Sequence, residues 1–160
     1  MAQKEITISY SEYDSAEETA NHYWRLLDEA VKATESSYAP YSNFNVGAAV
    51  LMENGEIVTG SNQENAASPS GLCAERVALF AAHHLYPSVP VKAIAIAGSQ
   101  NGKLTDEFTY PCAACIQVMV ESQKRGGTPI KIIVGSASKI QVIGSINDLL
   151  PFSFSNIPAE

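Results

Sequence analysis

Apolar side chains recur every three or four positions at Tyr23, Leu26, Leu27, Ala30 and Val31, which places one hydrophobic stripe on a helix. Ser15 and Glu18 form a capping box ahead of that stripe, so a first helix is expected over residues 15–37. Upstream, Ile6-Thr-Ile-Ser-Tyr10 alternates with period two, a pattern that suits either a short edge strand or an ordered arm. Beyond the turn-rich Tyr38-Ala-Pro-Tyr-Ser-Asn-Phe, residues 46–52 form an unbroken apolar run that reads as a buried strand. Asn54-Gly55 is a strong hairpin signal, and residues 56–60 supply the returning strand. A polar loop over 61–72 closes on Pro69, Ser70 and Gly71. From Cys73 no breaker intervenes until Pro87, so a second helix is expected there. Residues 91–97 alternate β-branched residues with Ala and read as a central strand, and a polar stretch with Gly102 follows. Pro111 stands at the mouth of a third helix over 112–124, with Gly126-Gly127 as its stop. Two more strands, 130–134 and 140–143, and a short final helix over 145–150 complete an α/β layered arrangement.

Composition narrows the setting. A chain of 160 residues, 46% hydrophobic and 17% charged, suits one domain able to bury a sizeable core. No uncharged apolar stretch approaches the roughly 20 residues that span a bilayer, so no membrane partner is expected. The first residues lack the apolar region of a secretory signal, which makes a cytoplasmic location the expectation. Seventeen acidic against ten basic side chains leave a net charge of −7, which argues against a nucleic-acid partner because phosphate contacts need Lys and Arg.

Three cysteines, Cys73, Cys112 and Cys115, cannot close a disulfide framework, and their odd number fits a reducing compartment. Cys112 and Cys115 form a C-x-x-C pair. Alone, that pair reads equally as a redox dithiol, half of a structural zinc site or two buried cysteines. All three cysteines, however, lie at the expected starts of two helices, where unpaired N–H groups and the helix dipole favour thiolate. Two sulfurs one turn apart on one helix and a third on another make a zinc-binding set. His83 lies ten residues along the second helix from Cys73, about 15 Å at 1.5 Å per residue, and His84 lies further. His22 is not ruled out by distance, although a solvated helix face is the ordinary place for it. With no histidine close at hand, the fourth position is expected to be open to water, as catalytic zinc requires. Glu75 is placed to aim a carboxylate at that water, take a proton and pass it to a leaving group. Arg76 has a bland reading as a solvated helix residue. Three thiolates on Zn²⁺ leave a net charge of −1, though, and a guanidinium on a cysteine sulfur would offset it. Cys-x-Glu with Pro-Cys-x-x-Cys is the established signature of zinc deaminases.

Tyr41-Ser-Asn-Phe44-Asn-Val-Gly47, Asn62-Gln-Glu64-Asn-Ala, Cys73-Ala-Glu75-Arg76, Pro111-Cys112-Ala-Ala-Cys115 and Leu149-Leu-Pro-Phe-Ser-Phe154 together resemble cytidine deaminases of the small, homotetrameric, three-cysteine type. The resemblance covers residues 26–154 and implies a three-layer α/β/α sandwich with a five-stranded mixed sheet. Residues 1–25 would then be an N-terminal extension and the start of the first helix, and residues 26–160 the catalytic domain. It implies hydrolytic deamination of cytidine and deoxycytidine in pyrimidine salvage, with one zinc per chain on Cys73, Cys112 and Cys115 and with Glu75 as proton shuttle. By the same resemblance Asn62 and Glu64 bind the ribose hydroxyl, Phe44 lines the pyrimidine pocket, Phe154 reaches a neighbouring subunit's site, and the assembly is a homotetramer. The chain departs from the family pattern at Ala113, where Gly is usual, at Ile116, where Arg is usual, and at Ser68, where a tyrosine is common. A blasticidin S deaminase shares the zinc elements, but Asn62-x-Glu64 and the Phe154 ending favour cytidine. A non-catalytic zinc-stabilised scaffold is the rival from another class, and Glu75 argues against it because a structural site has no use for that carboxylate.

Overall fold

The structure, a computed structural model, describes residues 1–14 and 21–155, with side chains from Tyr23 onward in the second segment. The expected Ser15–Glu18 capping box and the His22 side chain lie outside the described residues. Strand β4 (Val91–Gln100) is the centre of the sheet. On one side it pairs antiparallel with β2 (Asn45–Met52), which pairs in turn with β3 (Ile57–Ser61). On the other it runs parallel to β6 (Lys131–Gly135), followed by antiparallel β7 (Ile140–Ile143).

The alternation along β4 sorts the two faces. Ala93, Ala95 and Ala97 point to helix α1 (Asn21–Ala33) and pack with Leu26, Leu27 and Ala30. Ile94 and Ile96 point the other way, into a core shared with α2 (Ala74–Leu85) and α3 (Ala113–Gly126). The result is helix, mixed sheet, helix, as expected. Small residues on the α1 side let that helix come close: a methyl group added at Gly47 would collide with the Ala30 carbonyl. Among the described residues no helix is long and apolar enough to cross a membrane.

The expected five-stranded sheet is the core of a seven-stranded one, ordered β1-β7-β6-β4-β2-β3 with β5 also on β4. Both additions have a local cause. Strand β1 (Tyr10–Tyr13) takes the open backbone edge of β7, pairing Tyr10 with Ile143 through Tyr13 with Ile140. It begins at Tyr10, the last of the alternating residues 6–10, whose Ile6 and Ile8 lie outside the strand and are exposed. Strand β5 (Lys103–Leu104) forms because Asn101 and Gly102 both take positive φ, 54° and 75°, and fold the chain straight back on β4. The expected final helix shrinks to a 3-10 turn at Ile146–Asp148, N-capped by the Ser145 hydroxyl. The Asn54-Gly55 turn forms as expected, with Gly55 at φ 89°.

Helix α2 has the first cysteine as its N-cap and the acidic residue in its first turn, and Gly60 sets its distance from the sheet. A Cβ there would sit 2.5 Å from Ala78 N and 2.9 Å from Ala74 O. Gly60→Ala is therefore expected to destabilise by about 1–3 kcal/mol, the usual cost of overpacking against backbone. A fall in the urea midpoint at unchanged slope is the expected readout, and an unshifted midpoint would contradict the packing argument.

Candidate metal centre and active site

Cys73 and Cys112 occupy the residue before the first turn of α2 and α3, both with extended backbone (φ −70°) and neither using its side chain as a cap. Their sulfurs are thereby free to turn toward each other. The Cys73 and Cys112 Sγ atoms lie 3.9 Å apart, Cys112 and Cys115 3.5 Å, and all three fall within 4.8 Å of one another. Tetrahedral zinc with Zn–S bonds near 2.3 Å would place its sulfurs about 3.8 Å apart, so the triad fits that ion. Among the described residues no other His, Cys, Asp or Glu joins this cluster. His83 is engaged elsewhere, its Nε2 2.8 Å from Ser122 Oγ between α2 and α3.

Electrostatics argue for a cation here. Burial, with Glu75 and Cys73 beside it, pushes the Cys115 thiol far above its ordinary range. Burial also raises Cys112, but the N–H groups of Cys115 and Ala114 and the neighbouring thiols outweigh it and lower that thiol. Glu75, only 4% exposed, is raised by burial, an effect partly opposed by its own backbone N–H, the Cys115 thiol and Arg76. Three sulfurs beside a buried carboxylate are a poor group of anions on their own, and the three sulfurs are a good donor set for a dication. The Arg76 guanidinium donates to Cys73 Sγ at 3.7 Å, the partner expected of it, and its buried Nε has no hydrogen-bond partner among the described residues.

Beside Cys73 opens a cavity of about 500 Å³ whose walls include Tyr41, Asn62, Glu64, Ser68, Cys73 and Arg76. That volume suits a small organic molecule. Glu64 Oε2 accepts the N–H groups of Tyr41 (2.8 Å) and Ser42 (3.3 Å), and the Ser42 hydroxyl together with these N–H groups holds its carboxyl below the usual range. Asn62 Oδ1 accepts from Ser37 Oγ (2.5 Å) and Val46 N (2.8 Å), and Nδ2 donates to Phe44 O at 2.9 Å. Asn62 thus ties the start of β2 to the cavity wall.

Of the residues expected in the site, the structure brings Asn62, Glu64, Cys73 and Arg76 onto one cavity, with Cys112 and Cys115 adjoining Cys73 and Glu75 beside Cys115. Phe44 is half-buried at the start of β2, beside Gly98 of β4. Phe154 does not line this cavity. It is 72% exposed, and its backbone N–H and carbonyl are clamped by the Gln117 side chain of α3. Sequence reasoning left out the Tyr41 and Ser42 amides that hold Glu64, although the turn-rich 38–44 segment was the signal for them. The three departures fall in different places: Ser68 on the cavity wall, Ala113 exposed at the start of α3, and Ile116 against the core.

Residues 20–126 match the family model described as the cytidine and deoxycytidylate deaminase zinc-binding region. The cytidine deaminase of Halalkalibacterium halodurans is 40% identical over 131 residues, covering 81% of this chain and 92% of the relative. That of Mycobacterium tuberculosis is 34% identical over 140 residues, covering 86% and 95%. The crystal structure of a cytidine deaminase from Burkholderia pseudomallei superposes with a TM-score of 0.68 at 37% identity, covering 85% of this chain and all of the other.

Proposed function

Since the chain belongs to the cytidine and deoxycytidylate deaminase family, we propose how its own residues carry out the zinc-dependent hydrolysis of cytidine to uridine and ammonia. The observation that carries the reading is the convergence of three sulfurs within 4.8 Å beside the buried Glu75, with Cys73 of that triad on the wall of a nucleoside-sized cavity. Cys73, Cys112 and Cys115 hold one zinc, which when bound supplies the Lewis acidity that makes water a nucleophile near neutral pH. Glu75 takes a proton from the attacking water and hands it to the leaving amine. Burial suits it to this work, because it raises the carboxylate's affinity for a proton. Arg76, on the Cys73 sulfur, offsets the extra negative charge of a third thiolate.

Asn62 and Glu64 hold a ribose hydroxyl, and the depressed pKa of Glu64 keeps it an acceptor at neutral pH. Phe44 lines the pyrimidine pocket. Deoxycytidine is a second substrate, and residues 26–160 form the catalytic domain. A direct assay tests the reading: loss of cytidine absorbance on conversion to uridine, run in parallel on deoxycytidine, cytosine, CMP and blasticidin S. Turnover of cytidine and deoxycytidine in preference to the others is expected. Preference for blasticidin S would move the chain to the neighbouring specificity within the same chemistry.

The active unit is a homotetramer in which Phe154 reaches a neighbour's site. Its support is the exposure of Phe152 (87%) and Phe154 (72%) in the single chain, since two exposed aromatics two residues apart call for a partner surface. Phe154→Ala is expected to raise KM for cytidine and leave zinc content unchanged, because a stacking contact is lost and no ligand is touched. A monomer in sedimentation at micromolar concentration, or an unaltered KM, would remove the shared-site reading.

A further inference from the structure

Gln141 lies on β7 with only 6% of its surface exposed, and its side-chain amide is engaged at both ends. Its Oε1 accepts the Tyr110 hydroxyl, and its Nε2 donates to Glu12 Oε2 at 2.8 Å. The other Glu12 oxygen takes Lys139 Nζ, also at 2.8 Å. A polar chain therefore runs from Lys139 through Glu12 and Gln141 to Tyr110. Glu12 belongs to β1, directly across from Gln141 in the antiparallel register, and β1 precedes the stretch matched by the family model.

Tyr110 sits on the loop 105–112, which joins the two parts of the proposed site. At one side of Tyr110 stands Thr109: a methyl group added at Gly98 would run into Thr109 Oγ1 and lie 3.0 Å from Phe44 Cζ, so Thr109 and the Phe44 ring meet over that glycine. At the other side, two residues on, is Cys112 of the sulfur triad. The loop is braced internally by Thr105 Oγ1 donating to Glu107 O at 2.8 Å, and from outside by Ala137 N, between β6 and β7, donating to Thr105 O at 2.8 Å. The Tyr110 hydroxyl adds a tie to β7, and from there to β1.

We propose that strand β1 is a positioning element of the active site, acting through Glu12, Gln141 and Tyr110 to fix the loop that spaces Phe44 from Cys112. The inference rests on the roles given to Phe44 and Cys112 above. A buried amide keeps its orientation only while both ends are satisfied, so loss of either partner frees Gln141 to turn and removes the tie that holds the Tyr110 end of the loop to β7. Small misplacements of groups that hold a substrate cost rate steeply.

Four variants of the full chain test this: Tyr110→Phe, Glu12→Ala, Glu12→Gln and, as a control, Ser11→Ala, an exposed neighbour on the same strand. Tyr110→Phe and Glu12→Ala are expected to lower kcat/KM for cytidine about tenfold, mostly through KM, a size usual for residues supporting a metal site. Both are also expected to release zinc to a chelator several-fold faster. Glu12→Gln should restore both readouts, since its amide oxygen still accepts from Gln141 although the Lys139 ion pair is gone. Ser11→Ala should match the unmutated chain. KM within twofold of unmutated for Tyr110→Phe and Glu12→Ala, or Glu12→Gln as impaired as Glu12→Ala, would overturn the proposal. If the unmutated chain itself fails to deaminate cytidine, the proposed function falls, and zinc release alone decides the positioning role: rates within twofold across the variants overturn it.

Discussion

Glu75→Gln is expected to fold and keep its zinc while losing about 10²–10⁴-fold in kcat, the usual contribution of a positioned acid–base group. The amide preserves the volume and shape of a side chain that is 4% exposed at the start of α2, so neither the packing of that helix nor the three sulfurs should change. What disappears is the capacity to accept a proton and return it. Substituting a neutral amide also removes one negative charge beside Cys115, which relieves the repulsion that helps raise that thiol. Zinc retention should therefore be at least as good as in the unmutated chain, and metal analysis of the same preparation separates lost chemistry from lost metal. Activity within a factor of two of the unmutated protein would remove Glu75 from its role.

Cys112→Ser should abolish zinc binding and turnover together. Cys112 is the exposed member of the triad and Cys115 the buried one, so a change at Cys112 leaves the core intact and reports on the metal alone. A neutral hydroxyl is a much weaker zinc ligand than a thiolate, and two remaining sulfurs leave the ion half-coordinated. The loss should extend to stability. An ion that binds only the folded state, at a free concentration 100 times its dissociation constant, stabilises by about 2.7 kcal/mol, and the variant forfeits that increment. Adding a chelator to the unmutated protein should lower its melting temperature toward that of Cys112→Ser, whose own transition should not move. Normal zinc content in Cys112→Ser would exclude this cysteine from the ligand set.

Periodicity and punctuation in the sequence determined most of the elements. The stripe of Leu26, Leu27 and Ala30, the Asn54-Gly55 turn and the Gly126-Gly127 stop are local signals, each decided by residues within a few positions of one another, and each is found in the structure. The metal chemistry was equally legible, because Cys112 and Cys115 one helical turn apart, and Glu75 two residues from Cys73, are spacings the chain carries in its own order. Tertiary structure alone decided what crosses long separations. It brings Cys73 and Cys112, 39 residues apart, to 3.9 Å, and sets the Tyr41 amide on Glu64 across 23. It likewise lays Glu12 against Gln141 across 129 residues. A hydrophobic period states which face of a segment is buried but not which neighbour covers it. For β1 the outcome depended on a free row of N–H and C=O groups along β7, a property of the assembled sheet that no stretch of the chain displays by itself.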